Sequence, residues 1–534
     1  MIITEDKKIK RAESALSVGI DTVQVQAMID QMLEERLNLH SLMIIRHNQV
    51  ACEAWRKPLS DKDPHMAYSV SKSFLSTAFG FALHEGYVTK ETKFLDVFPE
   101  YRPKKKDPYL EKLTIFQLIA MRSGKRAPIT NNRGDDWIKC FVNCKWDFEP
   151  DTDWRYVSEN YFAASAALVR LTGQSITEFL TPRLYEPLEI DPPVWEKSPD
   201  GIEAGGWGMF LRTEDMAKLI LCYHNGGRWN DKQVIPEEWV REAVKKQSDN
   251  SNSQSKRDSQ AGYGYGFWRC AAAPGMENTY RCEGMYSQYA ISFEDYDACL
   301  VMTGSYSKLQ RALDLVWEYM AKAFVPEQEG AADKIKIKIP DSPAPIVAER
   351  SFLEKKISGH TYKMKRNRFL NSIGMPTGIL PLSVCNYLYD KGGNMDNIRF
   401  DFSRDGCIMS WTENETNYYK MDIGMNGCRK KNTLRVCGID FDAYANAYWK
   451  NKYTFVVFCR PIAGVAERTL TFTFSGDKIT MSPNVIPTME ENAREVGDTL
   501  KCVLKGKYYH TWIDILVPKV SFFVLPDHKG KLKT

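Results

Sequence analysis

The segment Tyr68-Ser69-Val70-Ser71-Lys72-Ser73-Phe74 sets a serine and a lysine three residues apart, at the head of an apolar run that continues to Gly86. If that run is a buried helix, Ser69 lies at its N-terminus, where free backbone N–H groups and the helix dipole favour developing negative charge. Lys72 then projects from the same face one turn on. An apolar helix would carry the ammonium into the interior, and desolvation would lower its pKa. Moving a lysine from about 10.4 to roughly 7–8 takes about 3–5 kcal/mol of differential environment. Such an amine can take a proton from a serine hydroxyl and make it a nucleophile. Read alone, the pair is equally well an N-cap serine and a lysine that snorkels to solvent. Ser-x-x-Lys also occurs at Ser253/Lys256, Ser305/Lys308 and Ser475/Lys478, but only Ser69 opens a strongly apolar helix.

Two other clusters carry chemistry. Tyr156-Val157-Ser158 precedes a second small-residue, apolar helix, and a tyrosine hydroxyl beside a serine and lysine can share a proton with them. By itself Tyr156 is more commonly a packed aromatic. Tyr280-Arg281-Cys282-Glu283-Gly284-Met285-Tyr286 precedes an apolar run that reads as an edge hairpin. A glycine there lets a ligand approach the backbone, and the N–H after it can donate to an oxyanion. In isolation an ordinary turn glycine explains Gly284 as well.

These clusters need elements to hold them. Val23–Leu37, Leu113–Met121, Tyr161–Leu171, Glu214–Tyr223 and Leu309–Phe324 have helical patterns, the third ended by Gly173. Ser41–Trp55 reads as two strands around His47-Asn48-Gln49, and Tyr289–Thr303 as a hairpin around Glu294-Asp295. Strands near both ends with helices between them predict an α+β domain over residues 1–325. Residues 326–349 are rich in Pro, Ala and charge and read as a linker. Residues 350–534 alternate with period two: Ile398–Phe402, Cys407–Trp411, Tyr453–Phe458, Thr469–Phe474, Lys478–Met481 and Thr499–Lys505 are predicted strands of an antiparallel barrel or sandwich. Trp411, Tyr418, Tyr419, Trp449 and Tyr453 are expected to fill its interior.

Length and composition set the limits. A chain of 534 residues suits two domains, and 43% hydrophobic with 26% charged residues is a globular composition. Seventy-two basic against 68 acidic side chains leave a net charge of +4, no signal for nucleic acid. No apolar stretch is long enough for a membrane helix, and the charged N-terminus does not read as a secretory signal. Thirteen cysteines without a CxxC pair suggest reduced thiols in a cytoplasmic protein, and Cys140 with Cys144 lacks the partners of a zinc site. No cofactor and no metal are expected.

In this order the clusters resemble the serine β-lactamase and penicillin-binding-protein-like superfamily, on the side of class C β-lactamases, family VIII esterases and 6-aminohexanoate-dimer hydrolases. The likeness spans about residues 20 to 325. Leu113-Thr114-Ile115-Phe116-Gln117-Leu118 with Ser123-Gly124, and Gly205-Gly206-Trp207-Gly208 with Thr213-Glu214-Asp215-Met216, resemble two of the family's intervening blocks. The resemblance implies an antiparallel sheet flanked by helices with an all-helical subdomain, and a C-terminal domain similar to the lipocalin-like β-domains appended to related hydrolases. It implies Ser69 as nucleophile, Lys72 and Tyr156 as proton-transfer groups, the backbone amides of Ser69 and Met285 as oxyanion hole, and Ser158, Cys282, Glu283 and Gly284 as substrate-binding positions. The expected substrate is a small ester or amide. A penicillin-binding sensor with little turnover, or an acyltransferase on the same site, are the other readings. Cys282 stands where the family has a lysine or histidine to meet a substrate carboxylate, which argues against efficient β-lactam turnover.

Overall fold

The computed structural model describes residues 8–126, 134–251, 257–306, 308–365, 395–413, 415–436, 439–486, 488, 491 and 527–533. The chain forms two compact units that part between Pro340 and Asp341. The predicted strand Thr499–Lys505 and the pair Ser253/Lys256 lie outside the described residues.

The first unit is built on a six-stranded antiparallel sheet. Its strands are β1 (Leu39–Arg46), β2 (Gln49–Trp55), β3 (Trp268–Arg269), β4 (Tyr280–Gly284), β5 (Gln288–Phe293) and β6 (Ala298–Gly304), in the order β2-β1-β6-β5-β4-β3. The β1–β2 turn places His47 and Asn48 at positive φ, as a tight two-residue hairpin demands. β1 and β6 are buried on both faces because helices cover both. On one face pack α1 (Thr22–Glu34) and α5 (Leu309–Ala323), whose Val25, Met28, Ile29, Met32, Leu313, Val316 and Met320 form a core with Leu42, Ile44, Leu300 and Met302. Ile337 and Ile339, from the Pro- and Ala-rich segment, are buried in that same core. The other helices of note are α2 (Ser71–His84), α3 (Ser158–Thr172, ended by Gly173 at φ 72°) and α4 (Thr213–His224). Nearly all of α2 is buried, down to its serines and threonine. Among the described residues no helix is long and apolar enough to cross a membrane.

The second unit is a ten-stranded sheet made of β7 (Thr361–Met364), β8 (Met395–Phe402), β9 (Gly406–Glu413), β10 (Asn417–Gly424), β11 (Lys430–Val436), β12 (Ile439–Asn451), β13 (Thr454–Pro461), β14 (Glu467–Ser475), β15 (Lys478–Ile486) and β16 (His528–Leu532). Each is antiparallel to its neighbours in the order β10-β9-β8-β7-β16-β15-β14-β13-β12-β11, and a parallel bridge from Gly424 to Asn446 brings the ends together as a barrel. Period-two burial is plain on β14, where Arg468, Leu470, Phe472 and Phe474 point in. Phe400, Phe455, Phe472 and Trp449 pack as one aromatic cluster. Of the five aromatics expected inside, Trp411, Tyr419 and Trp449 are buried, whereas Tyr418 and Tyr453 face solvent. Tyr418 is out because its neighbour Tyr419 is in, and Tyr453 sits in the turn between β12 and β13.

Candidate active site

Ser69 lies in a short 3-10 turn, Tyr68–Val70, and α2 starts two residues later. The residue at the head of α2 is Val70, with no side-chain cap, so Ser69 is not the N-cap that the sequence left open. Tyr68 takes a φ of 48°, a region uncommon for a residue with a Cβ. Its ring rests against Tyr286 at 5.4 Å.

Lys72 does not snorkel. Its residue is 1% exposed, and Nζ donates to Ser69 Oγ at 2.8 Å, Ser158 Oγ at 3.1 Å and Gly206 O at 2.5 Å. Burial pushes its pKa from an ordinary 10.5 down to about 7, against the opposing pull of the Glu159 carboxylate. The ammonium thus meets three acceptors in the interior, and the serine oxygen is one of them. Ser158 reaches it from the first turn of α3. Gly206 was part of a recognised block but had no predicted role. A Cβ there would meet Ser158 O at 2.7 Å and Tyr161 Cβ at 3.0 Å, so only glycine lets its carbonyl come this close. The pair of glycines at 205 and 206 was the available signal.

Tyr156 precedes α3 in irregular backbone. Its ring lies over the Lys72 ammonium, 4.8 Å from the centroid, and stacks on Trp268 at 5.3 Å and 24°. Ser69, Lys72, Tyr156 and Ser158 are therefore gathered from two helix heads 84 or more residues apart in sequence. Trp268 carried no sequence signal.

On β4 alternate residues divide. Cys282 is fully buried, beside Ser73 of α2, and burial pushes its thiol up to about 12. A Cβ on Gly284 would meet Ala67 O at 2.3 Å. The close approach that this glycine permits is by the chain's own backbone, not by a ligand. It seats Met285 beside the turn that holds Ser69, so the two expected oxyanion donors lie on touching segments. On the other face the buried Arg281 pairs with the partly exposed Glu283, Nη2 to Oε2 at 2.6 Å. Arg281 is spent there and turned away from Cys282, as strand alternation requires.

The other Ser-x-x-Lys pairs have ordinary surroundings. Ser305 Oγ accepts from Asn38 Nδ2 at 2.7 Å, while Ser475 and Lys478 face each other across the β14–β15 hairpin.

The chain belongs to the beta-lactamase family, whose model matches residues 25–337. A beta-lactamase of Escherichia coli (strain K12) is 23% identical over 190 residues, 31% of this chain and 49% of that protein, so the chain spans about half the length of this curated relative. Similar solved structures include a putative beta-lactamase from Bacteroides dorei DSM 17855, with a TM-score of 0.48 and 13% identity over 57% of this chain and 99% of that one. A putative 6-aminohexanoate-dimer hydrolase from Bacillus anthracis has a TM-score of 0.44 and 15% identity over 55% and 80% of the two chains.

Proposed function

We propose that the protein is a serine hydrolase of small esters or amides that works through an acyl-Ser69 intermediate. The observation that carries this reading is the buried Lys72 Nζ, 2.8 Å from Ser69 Oγ, with its pKa lowered to about 7. A neutral Lys72 has two N–H groups and one lone pair. The Gly206 carbonyl can only accept, and the Ser158 hydroxyl can take the second N–H. The lone pair is left for the Ser69 hydroxyl proton. As Oγ bonds to the substrate carbonyl carbon, that proton passes to Nζ. The backbone N–H groups of Ser69 and Met285 receive the oxyanion, a donor of a kind whose loss costs about 10²–10³ in rate. Tyr156 and Lys72 then return a proton to the leaving oxygen or nitrogen, and water releases the acyl group by the reverse sequence.

The buried thiol at Cys282 and the spent charge on Arg281 supply no free cation on β4, which supports neutral esters and amides over β-lactams. The test is intact mass after incubation with p-nitrophenyl esters, a fluorophosphonate and a penicillin, wild type beside Ser69→Ala. Rapid p-nitrophenol release with a Ser69-dependent adduct supports the reading. A lasting penicillin adduct without turnover favours a binding protein, and labelling of neither kind on folded protein removes Ser69 as nucleophile.

A further inference from the structure

Tyr156 is not aimed by its own backbone. Residues 154–157 belong to neither helix nor strand, so the phenol's two side-chain torsions depend on what the side chain touches. Three aromatic rings are among its contacts. Trp268 stacks on the ring at 5.3 Å, Tyr263 meets it edge-on at 6.1 Å and 89°, and Trp154 stands 6.4 Å away. Offset and edge-to-face pairs are the arrangements that ring quadrupoles favour, and together they restrict both tilt and rotation.

Trp268 has a partner of its own. It sits on the edge strand β3, opposite Arg281 of β4, and the Arg281 guanidinium lies 5.5 Å from its ring centroid. The guanidinium is fixed in turn: Nε donates to Glu283 Oε2 at 2.7 Å, and Nη1 donates to Arg269 O at 3.1 Å, Asp258 O at 3.3 Å and Cys270 Sγ at 3.3 Å. An unbroken series of contacts therefore runs from Glu283 through Arg281 and Trp268 to Tyr156 and Lys72.

We infer that Trp268 is a positioning residue for Tyr156, and that Glu283 acts through Arg281 and Trp268 instead of touching substrate. This rests on the proposal that Tyr156 transfers protons at Ser69. The test compares Trp268→Ala, Trp268→Phe and Glu283→Gln with wild type in two measurements. One is kcat and KM on a neutral p-nitrophenyl ester. The other is tyrosine-selective ¹³C NMR, with the Tyr156 resonance assigned by Tyr156→Phe. Trp268→Ala is expected to lower kcat by about 10–100-fold with KM within about 3-fold, the split that marks a transition-state effect. Trp268→Phe, which keeps a flat ring, is expected to recover to within about 3-fold, and Glu283→Gln to lose about 3–10-fold in kcat alone. The Tyr156 resonance shifts in Trp268→Ala from loss of the indole ring current alone, so the quantity read is its linewidth, which narrows when the ring is freed and stays at the wild-type value in Trp268→Phe.

A rise in KM with unchanged kcat in Glu283→Gln would place Glu283 on the substrate and overturn its part of the inference. A kcat in Trp268→Ala within about 3-fold of wild type would overturn the role of Trp268. Should the alanine variant fail to fold, Trp268→Leu takes its place and its kcat is read by the same criterion, and Glu283→Gln is read as before. If wild type has no Ser69-dependent turnover, the hydrolase reading fails by itself, and the Tyr156 linewidth decides whether Trp268 holds the ring: unchanged in Trp268→Ala, it overturns that role.

Discussion

Each unit of this protein buries a large cation, Lys72 in the first and Arg468 in the barrel, and the two behave differently. Both are 1% exposed. Burial brings the lysine down to about 7 and the arginine only to about 10. An ammonium concentrates its charge on one strongly hydrated atom, so loss of water shifts it readily. A guanidinium spreads its charge and stays protonated. The same degree of burial therefore yields a group poised to exchange a proton near neutrality in one place, and a permanent ion in the other.

Exchanging the two chemistries is the most direct challenge to this contrast. Lys72→Arg keeps the charge and removes the proposed base, and kcat/KM on p-nitrophenyl esters is expected to fall by about 10³-fold or more. Retention of activity would dismiss Lys72 as the proton acceptor. In wild type the rate should climb with pH through about 7, as Lys72 loses its proton. A profile flat from pH 6 to 8 would refute that assignment.

The stability consequence can be read separately. The folded protein releases the Lys72 proton near 7, whereas the unfolded chain keeps it up to about 10.5. Between those values the unfolded chain holds more protons, so stability rises with pH across that window. Lys72→Met, with no ammonium to bury, should match or exceed the wild-type melting temperature at pH 6, and its advantage should shrink toward pH 10. The opposite exchange, Arg468→Lys, should leave ester turnover within about 2-fold while giving barrel unfolding in urea a new dependence on pH, with stability rising from pH 7 to 10.

A smaller effect is expected within the barrel itself. His528 is buried near Arg468, and burial first, then the arginine, lowers its pKa to about 4. The folded barrel keeps this imidazole neutral while the unfolded chain protonates it below about 6.5. Stability is therefore lost as pH falls from 6.5 to 4, by something on the order of 3 kcal/mol. His528→Gln should remove that slope in acid unfolding followed by circular dichroism.

Much of the frame was legible in the residues. The turn at His47-Asn48, the stop at Gly173 and the alternation of β14 announce themselves, because backbone conformation and burial pattern are local properties. Ser69 with Lys72, and Tyr156 with Ser158, were legible for the same reason: each lies within one turn of a helix head. The contribution of Gly206 was not, since a carbonyl is present at every residue and only the fold aims one at an amine. Trp268 was equally hidden, 112 residues from the tyrosine it stacks on. Gly284 was read as an opening for a ligand, and the structure fills that opening with Ala67 O.

Residue types and their order were enough to establish which groups are able to exchange protons, many of the segments that are helix or strand, and that a buried helix follows Ser69. Composition, periodicity and spacing carry that much because they act over a few residues. Folding in three dimensions was needed to enclose Lys72 instead of letting it snorkel, to give it Ser69, Ser158 and Gly206 as acceptors, and to commit Arg281 to Glu283. Those outcomes depend on desolvation and on distances of a few ångströms between segments far apart in the chain, and such quantities exist only once the chain has folded.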